Sequence, residues 1–321
     1  MTEASFFFLV REELPEVEAR MLAFRHPSDQ ILQSALENLL RAGGKRIRPT
    51  VALLAGQMLS APRDGLLDFA AAIEMLHTAT LVHDDLIDGA TLRRGTPTLN
   101  SRWSTEATVL AGDYIFACAA YLGTQTHSLE VMQEFARTLI TIISGELGQM
   151  FERSTLISGE EYERRIYAKT AALFELASRG GALLCNESPE VVHSLGRYGR
   201  CLGMAFQIVD DVLDFTGQSV RIGKPVGSDL RQGLITLPVL YYQKRHPEDT
   251  RFAALMDPNR PSGTDVDQLV ETIGRSEAIQ ESLAQAHRYA SEAKELLEGL
   301  PENRYRQALL DLTEYVVSRD L

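Results

Sequence analysis

The chain has 321 residues, 45% of them hydrophobic and 24% charged, with a formal net charge of −12 and a pI near 5.1. That is enough apolar material for a sizeable core, and the acidic balance argues against a nucleic-acid binder, which carries a basic footprint. Cys118, Cys185 and Cys201 are widely spaced and fit neither a disulfide framework nor zinc spacing, so a reducing, cytoplasmic setting is expected.

In chain order, the N-terminal SFFFLV lacks a basic lead-in and is too short for a signal or a membrane span. Residues 1–27 are expected to form a helix or arm that packs on the body or on a partner subunit. Helical spacing runs from Leu14 to Arg41, interrupted at His26-Pro27-Ser28, where Ser28 is the expected N-cap. Gly43 to Pro49 then reads GGKRIRP, which gathers Lys45, Arg46 and Arg48 into a basic turn suited to phosphate. Thr50–Leu59 and Asp64–His83 read as apolar helices.

The second of these leads into LHTATLVHDDLIDGATLRRG, residues 76–95. Asp84 and Asp88 are four apart and share a helix face, where like charges repel unless a cation lies between them. An oxygen-only pair suits a hard cation such as Mg2+, which also takes substrate phosphate oxygens. Arg93 and Arg94 would add planar donors for a phosphate. His77 lies two turns before Asp84 on the same face, whereas His83 is off that face and reads as structural.

The Gly95–Thr98 stretch reads as a turn, and Thr105–Tyr121, containing Gly112-Asp113-Tyr114, as a helix. Glu130–Phe151 carries Glu146 and Gln149 three apart. Glu160–Gly180 is expected to be helical with Lys169-Thr170 set among alanines and leucines, an unusual place for an unpaired ammonium. Val191–Phe215 ends in QIVDDVLDF, a second acid pair at Asp210 and Asp214, with Asp211 between them. Gly217, Gly223, Pro225, Gly227 and Gly233 make 216–235 an expected mobile loop, with Lys224 placed to cover an anion. Amphipathic helix follows to Leu321, with a surface loop expected at Asp257–Gly263. No alternating strand, Rossmann fingerprint or Walker loop is present, so the reading is a single all-α domain over 1–321, with ten or more helices.

Together these motifs resemble the trans (E-type) polyprenyl diphosphate synthases: GGKRIRP at 43–49, HDDLIDGATLRRG at 83–95, GDY at 112–114, KT at 169–170, QIVDDVLDF at 207–215 and GKPVGSDLRQG at 223–233. The resemblance runs from about Ile31 to the C-terminus. It implies an all-α bundle around a central cavity, usually a homodimer, with the two aspartate motifs across its mouth. By the same resemblance Asp84, Asp88 and Asp210 are direct Mg2+ ligands, with Asp85, Asp211 and Asp214 in support or bound through water, and about three ions act together. Lys45, Arg48, His77 and Arg94 resemble the residues that hold isopentenyl diphosphate. Arg93, Lys169, Thr170, Gln207 and Lys224 resemble those around an allylic diphosphate such as farnesyl or geranylgeranyl diphosphate. Leu234 stands where short-chain members often carry a second lysine.

The implied reaction is head-to-tail condensation of the two diphosphates, releasing pyrophosphate, with transient membrane contact for product release. Ala79 lies roughly 7.5 Å down the helix from Asp84 at ~1.5 Å per residue; in this family a bulky aromatic there stops growth early, so Ala79 with Thr80 implies a product of roughly C30 to C50. Phe116, Tyr121 and Leu122 are other candidates for a tunnel floor. A short-chain C15–C20 synthase and a silent subunit of a heteromeric synthase are the alternatives, though silent subunits tend to lose acids and both motifs here are complete. A terpene cyclase would lack the 43–49 cationic turn, and a di-iron bundle wants Glu and Glu-x-x-His ligands.

Overall fold

A computed structural model of the protein describes residues 5–24, 30–41, 44–93, 95–151, 157–216, 226–252 and 264–319. Gly43, Arg94, Gly223, Lys224, Pro225 and the His26–Ser28 and Asp257–Gly263 stretches lie outside them. The order is α1 (Ser5–Phe8), α2 (Glu13–Leu22), α3 (Gln30–Arg41), α4 (Ile47–Met58), α5 (Arg63–Ile87), β1 (Leu92–Arg93), β2 (Thr96–Pro97), α6 (Thr105–Gln125) and α7 (Leu129–Phe151). There follow α8 (Gly159–Ile166), a π-helical turn (Tyr167–Ala171), α9 (Ala172–Leu184), α10 (Pro189–Thr216), α11 (Ser228–Arg231), α12 (Leu237–Arg245), α13 (Thr264–Gly274), α14 (Glu277–Leu297) and α15 (Arg304–Ser318). The fold is all-α, as the helical periodicity predicts, and the antiparallel β1–β2 hairpin is two residues a side.

The chain divides into two compact units, the first comprising Met1–Thr138, Leu173–Gly199 and Leu297–Asp311, the second Leu139–Ala172, Arg200–Leu296 and Leu312–Leu321. In the first, α4 and α5 form the interior: Val51 to Ala55 and Phe69 to Ile73 are all fully buried. A Cβ at Gly181 would come within 2.6 Å of the Gly56 nitrogen, so glycine there lets α9 lie directly on the α4 backbone. The N-terminal arm packs on this body through Phe6 and Val10, with Ser5 donating to Asp311 at 2.7 Å. In the second unit Val212, Phe215, Leu230, Val239, Leu269 and Ile273 make a core that joins α10 to α11, α12 and α13.

The helix expected over 160–180 is present and carries a π turn at Tyr167–Ala171. One expectation changes. The expected loop over 216–235 contains the helical turn α11, because the carboxylate of Asp214 caps it.

Candidate active site

The first unit holds the first aspartate motif. Between Phe69 and Val82 of α5, only His77, Thr80 and Leu81 escape burial, and with Asp84 they follow the i, i+3, i+4, i+7 spacing of one helix face. Asp88 ends the same stripe as the C-cap of α5, its N–H donating to the Asp84 carbonyl at 2.8 Å. Ala79 is fully buried and lies off the stripe, so of the two proposed chain-length residues Thr80 is the accessible one.

Asp85 turns the other way. It is 6% exposed and accepts Nε of Arg93 at 2.9 and 3.0 Å and Nη2 at 2.8 Å. The β1–β2 hairpin brings Arg93 there, and Asn100 closes its base by donating to the carbonyls of Asp85 at 3.2 Å and Ala90 at 2.9 Å. Asp85 therefore holds an arginine rather than presenting itself to a ligand.

The basic turn divides its three cations by role. Arg46, at φ 46°, folds inward and donates to Glu74 at 2.7 Å, Glu18 at 3.0 Å and the Leu40 carbonyl at 2.6 Å. Lys45 is exposed, while Arg48 meets His77 Nε2 at 3.2 Å and lies over the Phe174 ring at 4.7 Å. A guanidinium has no acceptor, so His77 Nε2 must accept and the ring proton sits on Nδ1. The predicted alignment of His77 with the aspartates thus also gives Arg48 a fixed position. Arg46→Met would leave Glu74, 4% exposed, without its cation. The expected loss is about 3–5 kcal/mol of unfolding free energy in urea, the usual cost of breaking one side of a buried pair.

His83 is structural, as its off-face position predicts: Nε2 lies 3.2 Å from the Val109 carbonyl, and any Cβ at Gly112 would collide with the ring. That explains the glycine of the GDY motif.

The second unit holds the other motif and the KT pair. Lys169 and Thr170 sit on the π turn, a distortion frequent at functional sites. The Lys169 ammonium is 3.8 Å from Glu146, so the predicted lone cation has an anionic neighbour. Thr170 donates to Gln207 Oε1 at 2.5 Å, and Gln207 Nε2 donates to Asp211 Oδ1 at 2.8 Å. Tyr162, fully buried, completes the chain by donating to Asp211 Oδ2 at 2.7 Å.

Asp211 is buried, and burial, with Asp229 nearby, pushes its carboxyl from 3.8 up to about 7. Between those values the folded state keeps a proton that the unfolded chain releases. Unfolding free energy of the metal-free protein should therefore fall as pH rises from about 4 to 7, by up to ~1.4 kcal/mol per pH unit. Urea titrations at several pH values in EDTA check this; the component should vanish in Asp211→Asn.

Asp214 accepts from the Ser228 N–H at 3.1 Å, the Ser228 hydroxyl at 2.9 Å and the Asp229 N–H at 3.2 Å. It spends its carboxylate on the start of α11, which suits a supporting role. Asp210, 44% exposed, pairs with Arg319 at 2.8 Å. Sequence reasoning had no signal for Tyr162, Glu74 or Arg319, whose partners are 28 to 109 residues away.

Among the described residues no three His, Cys, Asp or Glu side chains converge on a point. In the first unit Asp84 and Asp88, and in the second Asp210, each supply oxygen donors only, and in small number. Such donors fit Mg2+, which keeps several waters and completes its shell with substrate phosphate oxygens.

The fold and these motifs define an isoprenoid synthase. The family model described as polyprenyl synthetase matches residues 29–273. Heptaprenyl diphosphate synthase component 2 of Geobacillus stearothermophilus is 40% identical over 293 residues, covering 90% of each chain. Octaprenyl diphosphate synthase of Escherichia coli K12 is 33% identical, covering 97% of each. The crystal structure of polyprenyl synthase from Caulobacter crescentus CB15, complexed with calcium and isoprenyl diphosphate, superposes with a TM-score of 0.93 at 33% identity over 100% of both chains. The chain belongs to the polyprenyl synthetase family and is a trans-polyprenyl diphosphate synthase, an enzyme of prenyl transfer.

Proposed function

We propose that the protein condenses isopentenyl diphosphate with an allylic diphosphate, farnesyl or geranylgeranyl, in a Mg2+-dependent head-to-tail reaction, and builds an all-trans product of roughly C30 to C50, as the small side chains one turn or so below Asp84 suggest. The observation that carries this reading is the face of α5 on which Asp84 and Asp88 stand accessible while buried Asp85 holds Arg93. By motif, Asp84 and Asp88 in the first unit, and Asp210 in the second with Asp214 in support, would each ligate Mg2+. Bound Mg2+ would neutralise charge on the departing diphosphate.

The rest falls to the chain's own side chains. Arg93 has five N–H donors, of which Asp85 engages Nε and Nη2, so an outer edge remains for a diphosphate. In the second unit Lys169 on the π turn supplies a cation for a diphosphate, and Thr170 and Gln207 hold each other in one orientation beside it. Arg48, fixed by His77 and Phe174, and Lys45 would orient isopentenyl diphosphate. Arg94 and Lys224 join these roles by motif. Orientation and exclusion of water carry the catalysis, since an allylic cation is quenched by water.

We read the chain as one cytoplasmic synthase domain acting as a homodimer. Leu110 and Tyr121, 67% and 57% exposed, stand with Ala117 along one face of α6 and suit burial against a second copy. A second reading, a subunit that needs a different partner, is favoured by the relative named component 2. Pyrophosphate release by the purified chain tests the choice: release that needs both diphosphates and stops with EDTA supports a self-sufficient synthase. Silence under all conditions favours the partner.

A further inference from the structure

Asp210 is the acid of the second motif that meets solvent, and its Oδ1 accepts from Nη2 of Arg319 at 2.8 Å. Arg319 is 7% exposed, a rare position for a guanidinium. It is held there independently of the carboxylate: Nη2 also donates to the Phe206 carbonyl at 2.7 Å, and the guanidinium carbon lies 3.6 Å over the Phe206 ring. Phe206 precedes Asp210 by one turn of α10. Among the described residues Nε of Arg319 finds no acceptor, so its burial is not a matter of complete satisfaction. A cation anchored by Phe206 does not leave when another cation arrives; it sets the orientation of the carboxylate it touches.

We propose that Arg319 is a positioning residue of the reaction, holding Asp210 in the orientation that receives a divalent cation. This rests on the reading of Asp210 as a metal ligand. A carboxylate offers about four lone-pair sites, so accepting from Arg319 and ligating a cation are compatible. The positive charge of Arg319 works against the metal, but the Asp210 side chain is nearly half open to water, where such effects are small. Loss of an orienting hydrogen bond to a ligand typically costs about 10- to 100-fold in affinity, which is the larger effect.

The test is titration of the full chain with Mn2+ in the presence of inorganic pyrophosphate, read by electron paramagnetic resonance. Arg319→Met is expected to weaken binding at one site about 10- to 100-fold, and Arg319→Lys to recover part of it. Asp210→Asn serves as the control and should lose that site. Binding in Arg319→Met as tight as wild type or tighter, with the site lost in Asp210→Asn, overturns the role of Arg319 and leaves Asp210 a ligand. An Asp210→Asn protein that binds like wild type overturns both. Should Arg319→Met not fold, Arg319→Lys decides alone, since lysine keeps the charge without the planar fork: wild-type affinity overturns the proposal, and a severalfold loss supports it.

Discussion

Asp84→Asn is expected to lower kcat about 10²- to 10³-fold, the scale of losing one electrostatic contact to charge that develops in the transition state, while leaving the fold intact. Asp84 is half-buried at the end of α5 and shares a face with Asp88 four residues on. In the metal-free chain those two carboxylates repel, so removing one should be neutral or stabilising by a few tenths of a kcal/mol. Asp85→Asn must behave differently, because Asp85 is buried against Arg93. Its loss should cost about 1–3 kcal/mol of stability, since the Arg93 left behind is partly open to water, and reduce activity through a displaced arginine. Steady-state kinetics with thermal melts of both variants separate the roles. An Asp84→Asn enzyme within about threefold of wild type, on that same electrostatic scale, would remove the metal from this face of α5.

The second large effect concerns product length. Thr80 lies on the accessible stripe one turn before Asp84, and a phenylalanine there should block a growing chain directly, giving a product of about C15–C20 given the ~1.5 Å rise per residue between them. Ala79 is fully buried, so Ala79→Phe has two possible fates that a melt distinguishes. If a tunnel runs beside it, the ring enters the tunnel and the product shortens at little cost. If Ala79 only packs helices, the ring overpacks the core, costing about 1–3 kcal/mol with product length unchanged. We expect shortening at both positions. Full-length product from both variants would place the floor on another element, with buried Leu122 of α6 the next residue to enlarge.

Much of this was legible in the sequence because it is local. The all-α fold, the limits of α5 and α10 to within a few residues, and the shared face of His77 and Asp84 follow from apolar spacing alone. The division of labour within each motif does not. DDxxD spacing states which acids share a face, but not that Asp85 meets Arg93 or that Asp214 caps α11; both depend on where a hairpin or a loop returns. Arg46 looked like a third phosphate cation, yet its partner Glu74 lies 28 residues away on α5, beyond the reach of any periodic signal. The π turn under Lys169 escaped for another reason: its alanines and leucines are good helix formers, and nothing in propensity separates a π turn from an α turn.

The most direct measurement is chain-length analysis of the products formed by the purified chain alone from isopentenyl diphosphate, farnesyl diphosphate and Mg2+. The account predicts a ladder of five-carbon additions ending between about C30 and C50, as the small side chains of Ala79 and Thr80 about one turn before Asp84 imply, and none at all in EDTA. Absence of extension by the wild-type chain under every metal condition would contradict it.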